Sequence, residues 1–581
     1  MQKTYGNGIQ RIFNTRRGLE LALLIACLPL TRTPATDPDW IVRGNQGMVA
    51  ADSVHASQAG VEILKQGGNA IDAAVAVSFA LAVTRPDSTG LGGGGFLIAR
   101  MHDGAVIVQD FRETAPAAAT ADMFSKAASS DGPNSSEVGF LAVAVPGLVA
   151  GRCAALARHG TMQLSKVLVP AIRLAKEGFP VDQHYVEVSR DILATFEEYP
   201  ALKASCKYLY ETHLQNGKLR AVGDKLIQPA LGRLLEELAA QGPDFFYRGP
   251  FADALVEAMQ EHGGIITKKD LVDYAVKERS PLRFHYRGYE LLAMPPPSSG
   301  GIALAETLHI LEALDFTAVA RRDRNLAVHY HIEAMKHAFA DRARWLGDMD
   351  FSNVPLDFLA DAKRAATLAA RIKPDRIAAL DEYGTVSLPD DSGTSHFCVI
   401  DRQGNVVVST ETINTEFGAL VAVDEWGVLL NNEMDDFAAQ PDRPNAYGLV
   451  QSARNAVEAG KRPLSSMTPT IVLKDGAPHL LIGASGGPRI ISSVLDVLLG
   501  VIDYGLSLEE AMMGLRLHHQ WRPDEVSFDV EPPGELAAFL TQLGHKLSEK
   551  RDRGHVQAIV RSNDGWIAAS DPRKGGRPAA E

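Results

Sequence analysis

Two apolar patterns alternate along this chain. Short β-branched runs flank turn residues at three places: Phe96 to Arg100 with Ala105 to Phe111, Phe397 to Ile400 with Val406 to Ser409, and Thr470 to Leu473 with His479 to Ile482. Between them stand His102-Asp103-Gly104, Asp401 to Gly404, and Asp475-Gly476, so each pair predicts a hairpin. Met48 to Ala51, Leu282 to Met294 and Val526 to Val530 also read as strands, and Val556 to Val560 as an edge-like strand. Longer periodic runs predict helices. His55 to Gln66 ends at Gly67-Gly68. Ala70 to Val83, opened by Asn69 and Asp72, is rich enough in small apolar residues to be buried on every side. Glu187 to about Glu257 reads as mostly helical. The pattern as a whole is α+β.

A length of 581 residues predicts two domains, with one large layered domain as the alternative. The net charge of −13 gives no support to a nucleic-acid surface. The four cysteines, Cys27, Cys153, Cys206 and Cys398, form no CxxC pair, so neither a zinc knuckle nor a disulfide framework is indicated. Lys3, Arg11, Arg16 and Arg17 precede the apolar run Leu19 to Leu30, an export-signal pattern that predicts a periplasmic or secreted protein. Within it, Leu24-Ile25-Ala26-Cys27 resembles a lipoprotein cleavage box, which would place a lipid anchor on Cys27. No later run has the apolar length of a transmembrane helix.

Several segments carry candidate chemistry. Gly92 to Gly95 follows a helix and precedes strands, the reverse of a dinucleotide fingerprint, so it reads as a structural or pocket-lining turn and no cofactor is expected. Arg112 ends a strand beside a Pro-terminated turn, where a guanidinium grips a substrate carboxylate or forms a structural salt bridge. His329, His331 and His337 lie on one helix, but His331 and His337 do not share a face, and no metal site is expected. Asn431 to Asp436 gathers acceptors. The stretch from Phe437 to Pro463, with Tyr447, reads as a long covering loop.

Two residues compete as nucleophile. Gly483-Ala484-Ser485-Gly486-Gly487 matches GxSxG between a strand and a helix, with Asp524, Asp529, His545 and His555 downstream. Hairpins rather than βα units precede it, which disfavours Ser485. Thr394 follows Gly393 at the end of a polar connector, Ala379 to Gly393, that reads as exposed and open to cutting. A threonine hydroxyl needs an adjacent base, and a free α-amino group on the same residue supplies one once the chain is cut before it. On chemistry alone, a threonine that merely sets the phase at a strand start is the prevailing reading.

The segment Thr394 to Gly418 resembles the signature of the γ-glutamyltranspeptidases, or glutathione hydrolases, which are N-terminal-nucleophile hydrolases. Gly67 to Val77, Gly90 to Phe96, Asp110 to Pro116, Asn431 to Phe437, Lys461 to Thr470 and Gly486-Gly487 resemble the same family, in order, over the chain from about residue 45. The resemblance implies a four-layer αββα sandwich, one composite domain in place of two. It also implies self-cleavage between Gly393 and Thr394. Residues 1–41 would be the export signal and N-terminal segment, 42–393 the large part and 394–581 the small part, held together as a heterodimer.

In that family's scheme Thr394 attacks the γ-amide carbonyl and Thr412 orients it. Gly486 and Gly487 form the oxyanion hole. Arg112, Ser465 and Ser466 hold the α-carboxylate, and Asn414, Glu433 and Asp436 recognise the α-amine. The expected partners are glutathione and other γ-glutamyl compounds, water, and amino acid or dipeptide acceptors. Cys398, Val408, Ser485 and Pro488 depart from the commonest pattern. A cephalosporin (glutaryl) acylase of the same family and a non-catalytic envelope binding protein are the alternatives.

Overall fold

The structure, a computed structural model, describes residues 37–124, 135–384, 393–438, 452–549 and 554–581. The chain divides into two units, residues 1–38 and 39–581. The export-signal pattern with Cys27, most of the connector before Gly393, and Tyr447 with about half of its loop lie outside the described residues. Among the described residues no helix is long and apolar enough to cross a membrane.

Residues 39–581 are built on two seven-stranded antiparallel sheets. From edge to edge the first runs Ile41–Gly44, Gly565–Ser570, His555–Ser562, Ala477–Ser485, Thr470–Lys474, Tyr289–Ala293 and Leu282–Tyr286. The second runs Ala579–Ala580, Met48–Ala51, Ser395–Ile400, Val406–Thr412, Gly94–Arg100, Val106–Asp110 and Lys277–Glu278. The three predicted hairpins are present. Val556 to Val560 is no edge, because its strand pairs on both sides. Val526 to Val530 contributes only the two-residue strand Ser527–Phe528.

Side chains of the second sheet alternate between two cores, as a pleated strand requires. Phe96, Ile98, Cys398, Ile400, Val406 and Val408 face the first sheet and share its core with the helices Gly300–Ala313, Arg324–Trp345 and Arg489–Ile502. Leu97, Ala99, Phe397, Val399 and Val407 face the other way, onto Val54–Lys65, Ala70–Thr84 and Leu148–His159. The layers are therefore helix, sheet, sheet, helix.

The helix Ala70–Thr84 shows how local signals serve this arrangement. Asn69 and Asp72 form a capping box, which satisfies two of the first-turn N–H groups. All of its 15 residues are buried, as its apolar composition on every side demands. Its N-terminus docks on the central hairpin, where Ala70 N donates to Asp401 Oδ2 at 2.9 Å. The same Asp401 closes the hairpin turn by accepting from Gln403 N and Asn405 N. Beneath the hairpin, Arg152 is buried against Glu411 at 2.7 Å, donating also to Ser78 and Ser409, with the Phe111 ring 4.5 Å away.

Candidate active site

Thr394 stands immediately before the strand Ser395–Ile400, in the middle of the second sheet. The hairpin register pairs Ser395 with Glu411 and His396 with Thr410, so its continuation sets Thr394 opposite Thr412. The two hydroxyls are 3.3 Å apart. Both donate to the Gly393 carbonyl, Thr394 Oγ1 at 2.6 Å and Thr412 Oγ1 at 2.8 Å. Thr412 is itself oriented by Asn414 N, which donates to its Oγ1 at 2.8 Å.

Gly393 has φ of +106°, a region that favours glycine, and a Cβ built there would lie 2.6 Å from the Asn414 carbonyl oxygen. The glycine run behind the site has a related cause. A Cβ on Gly93 would lie 2.0 Å from the Thr412 carbonyl oxygen, and one on Gly92 would lie 2.2 Å from that of Leu429. The run lets backbone pass directly under the strand end that carries Thr412.

Arg112 is buried together with Glu433 and Asp436. Its Nη1 lies 2.5 Å from Glu433 Oε2, its Nη2 pairs with Asp436, and its Nε donates to the Pro463 carbonyl at 3.3 Å. Glu113 is 3.7 Å away. Burial pushes the Glu113 and Asp436 carboxyls above their ordinary ranges, opposed by the Arg112 guanidinium. Arg342, which the sequence did not single out, extends the cluster. Its Nη2 donates to Ser466 Oγ at 3.3 Å and its Nε to Ser299 Oγ at 2.9 Å. Ser299 in turn donates to the Ser465 carbonyl, while Ser465 Oγ accepts from Met467 N. Asn414 turns its side-chain amide onto the Asn432 carbonyl. Asn431 is structural, bonding the Gly92 and Ala144 carbonyls.

Gly486 and Gly487 follow the strand Ala477–Ser485 with φ of +115° and +52°, so only glycine fits this turn without strain. Their strand packs across both strands of the central hairpin. Ser485 accepts from Lys574 Nζ at 3.2 Å. Of the partners considered for a Ser485 triad, Asp529 pairs with Arg573, Asp524 with His519 and His545 with His329, whereas His555 stands opposite Ser485 in the sheet with its ring edge-on to His184.

Lys574 and Asp52 are the neighbours of Thr394 that sequence reasoning missed. Lys574 Nζ donates to the Thr394 carbonyl at 2.6 Å and to Asp52 Oδ2 at 3.0 Å. The three residues are far apart in sequence, and no spacing signals their meeting.

The histidine-bearing helix does contribute to a cluster with metal-ligand chemistry. His329, Glu333 and His545 place their ligand atoms within 4.8 Å of one another. His329 Nδ1 lies 2.8 Å from His545 Nε2, and Lys336 Nζ lies 2.9 Å from Glu333 Oε1. The ammonium already supplies the positive charge beside the carboxylate. His331 and His337 belong to other surroundings, as their angular separation predicted.

Residues 56–581 match the family model described as gamma-glutamyltranspeptidase. A glutathione hydrolase proenzyme of Escherichia coli K12 is 43% identical over 537 residues, covering 92% of this chain and 91% of the relative. One from Bacillus subtilis strain 168 is 38% identical, covering 89% and 88%. Among solved structures, a cephalosporin acylase from Bacillus halodurans superposes with TM-score 0.82 at 27% identity, over 95% of this chain and 98% of that one. A gamma-glutamyltranspeptidase from Pseudomonas nitroreducens complexed with L-DON gives TM-score 0.54 at 39% identity, over 59% of this chain and 99% of that one. The two-sheet sandwich, the paired threonines at the sheet mouth and the match over nearly the whole length agree: this chain belongs to the γ-glutamyltranspeptidase family of N-terminal-nucleophile hydrolases.

Proposed function

We propose that this protein is a self-processing γ-glutamyltransferase and glutathione hydrolase. The observation that carries the reading is the Gly393–Thr394 junction, whose carbonyl already holds hydrogen bonds from Thr394 and Thr412. In self-cleavage, Thr394 Oγ1 attacks the Gly393 carbonyl carbon and its proton passes to the departing Thr394 nitrogen. The resulting ester is hydrolysed by water. This leaves Gly393 as a carboxylate and Thr394 with a free amine and a free hydroxyl. Residues 42–393 and 394–581 then remain associated as a heterodimer. The solved Pseudomonas nitroreducens chain matches over 99% of itself but 59% of this chain, which is how one fragment of a cut protein would match.

In turnover the Thr394 amine takes the hydroxyl proton as Oγ1 attacks the γ-amide carbon of the donor. The Gly486 and Gly487 N–H groups stabilise the oxyanion. The amine of the leaving group departs protonated, and water or an amino acid or dipeptide amine takes the glutamyl group from Thr394. The α-carboxylate of the donor binds Arg112 with Ser465 and Ser466, and its α-ammonium binds Asn414, Glu433 and Asp436. The Arg112 guanidinium pairs with both acids. A zwitterionic substrate end brings one charge of each sign, so it enters the cluster without changing its net charge.

The close superposition on a cephalosporin acylase supports a second reading, an amidohydrolase for glutaryl amides. A glutaryl group carries the carboxylate but no amine, so it would leave Glu433 and Asp436 facing a third carboxylate. That favours γ-glutamyl donors. The N-terminal pattern supports export to the periplasm or beyond, with a lipid on Cys27 as the variant form, and intact-mass analysis of soluble and membrane fractions distinguishes them.

The deciding experiment combines fragment mass analysis with kinetics for wild type and Thr394→Ala. Wild type should yield two fragments divided at Gly393–Thr394 and turn over γ-glutamyl anilides faster than glutaryl anilides. Thr394→Ala should stay in one piece and be inactive. Faster glutaryl turnover selects the acylase. Binding without turnover selects the envelope binding protein.

A further inference from the structure

Lys574 lies in the last stretch of the chain, after the strand Gly565–Ser570, and Asp52 lies just after Met48–Ala51. Both are buried. An isolated buried ammonium costs several kcal/mol, so it requires a partner, and Asp52 at 3.0 Å supplies it. Asp52 is fixed in turn by Gln557 Nε2, which donates to Oδ1 at 2.5 Å, and by His396 N, which donates to Oδ2 at 3.4 Å. Arg85 Nη2 holds the Lys574 carbonyl at 3.2 Å.

A purely structural ion pair would need nothing more. Yet Nζ spends its shortest bond, 2.6 Å, on the carbonyl of Thr394, and its third on Ser485 Oγ, next to Gly486. One ammonium thus joins the residue of the nucleophile to the loop of the glycine pair. The carbonyl bond fixes the Thr394 backbone beyond Cα, and with it the directions of the nitrogen and of the side chain. Cutting before Thr394 removes the covalent anchor on its nitrogen side, and the clamp on its carbonyl remains.

We propose that Lys574, held by Asp52, is a positioning residue for Thr394: it clamps the nucleophile against the glycine-pair loop and keeps the amine freed by self-cleavage in its neutral, basic form. This rests on the reading of Thr394 as an N-terminal nucleophile. A cation beside an amine disfavours its protonated form, so the base is available at lower pH than an unassisted α-amino group, which titrates near 8. Other charged or titratable groups around this region include Asp52, Arg85 with Asp182, Asp87 with His184, Glu416, and His555 opposite Ser485. His396 is kept neutral by burial, its pKa down to about 3. Burial lifts the Glu416 carboxyl to about 7, so Glu416 also titrates in the working range and has to be separated from the amine.

The test measures fragment appearance and the pH profile of kcat/KM in wild type, Lys574→Met, Lys574→Arg, Asp52→Asn and Glu416→Gln. Lys574→Met should slow self-cleavage about tenfold or more. In its processed fraction the acid limb should move up by about one pH unit, the scale of a neighbouring charge. Lys574→Arg should restore the limb while cleavage stays slow, because the charge returns without the compact geometry. If Lys574→Met fails to fold, Asp52→Asn provides the second reading: the ammonium loses its counter-charge and the limb should move down. Wild-type cleavage and an unmoved limb in Lys574→Met overturn the proposal. So does a limb that moves only in Glu416→Gln. A wild-type chain that is neither cut nor active overturns the underlying function instead.

Discussion

Thr412 Oγ1 donates to the Gly393 carbonyl at 2.8 Å from the neighbouring strand, so the peptide group before Thr394 is polarised in the uncut chain. The Thr394 hydroxyl donates to the same oxygen, and in the proposed cleavage it would give up that bond to attack the carbonyl carbon. Thr412 would be the donor that remains as charge develops. Removing one such donor costs about 10²–10³ in rate. Thr412→Ala should slow fragment formation on that scale, followed by denaturing electrophoresis, and Thr412→Ser should recover most of it.

Gly393→Ala should impair the same step through the backbone. The substitution adds a Cβ in a left-handed conformation and brings it against the Asn414 carbonyl. Strain of roughly 1–3 kcal/mol is expected, relieved by moving the scissile carbonyl away from Thr412. Slower cleavage with little change in Tm would locate the strain at the junction, and unchanged cleavage would refute this account.

In the proposed function Arg112 would join binding to stability. Arg112→Met leaves Glu433 and Asp436 buried without their guanidinium, a loss of about 3–5 kcal/mol for a broken buried pair, read as a lower Tm. Arg112→Lys keeps one charge but not the fork that reaches both acids. It should fold, and its KM for γ-glutamyl anilides should rise about tenfold or more, one lost charged hydrogen bond being worth about 1.5–3 kcal/mol.

Arg152 and Glu411 allow a double substitution behind the hairpin. Arg152→Met alone should lower stability by about 3–5 kcal/mol, because Glu411 is fully buried. Adding Glu411→Leu should return much of that loss, since an apolar pair of similar volume is often neutral or better. Denaturant midpoints of the two single variants and the double variant measure the coupling.

Stability should fall steeply in acid. His213, His331, His396 and His518 are buried, and burial holds each near 3, below the ordinary 6.5. The unfolded chain therefore binds more protons below pH 6.5, and each group removes about 1.4 kcal/mol per pH unit from there down to its folded value. Asp496, lifted by burial to about 8, acts oppositely and loses its contribution as pH rises from about 4. His331→Gln should flatten the dependence of Tm on pH between 4 and 6 by one proton's share.

Much of this was legible in the sequence for a physical reason. The hairpin around Asp401 and the helix after Asn69 are specified by local signals, a turn carboxylate and a capping box, whose partners lie within five residues. Thr394 was legible through the resemblance of its segment to a family signature, since its chemistry alone favoured a threonine that merely sets the phase at a strand start. Lys574, Asp52 and Arg342 were not, since each acquires its role from contacts made across the whole chain. Arg112 read as a substrate grip or a structural salt bridge, and its buried pairing with both Glu433 and Asp436 is a property of three-dimensional packing. Val556 to Val560 resembled an edge because strand order does not follow chain order: its strand lies between Ala477–Ser485 and Gly565–Ser570.

The order of strands in the second sheet has a consequence for the cut protein. Ser395–Ile400 and Val406–Thr412 lie side by side, flanked by Met48–Ala51 on one edge and Gly94–Arg100 on the other. The first sheet likewise sets Ile41–Gly44 and Tyr289–Ala293 outside strands from the C-terminal part. Fragments divided at Gly393–Thr394 would therefore share backbone ladders instead of meeting at a surface. Dilution should not separate them and partners should not exchange between molecules. Once unfolded, the pair has to find each other at a rate that depends on concentration, whereas the uncut chain refolds as a single molecule. Cleavage would turn a unimolecular folding problem into a bimolecular one, so the mature enzyme would persist by the height of its unfolding barrier.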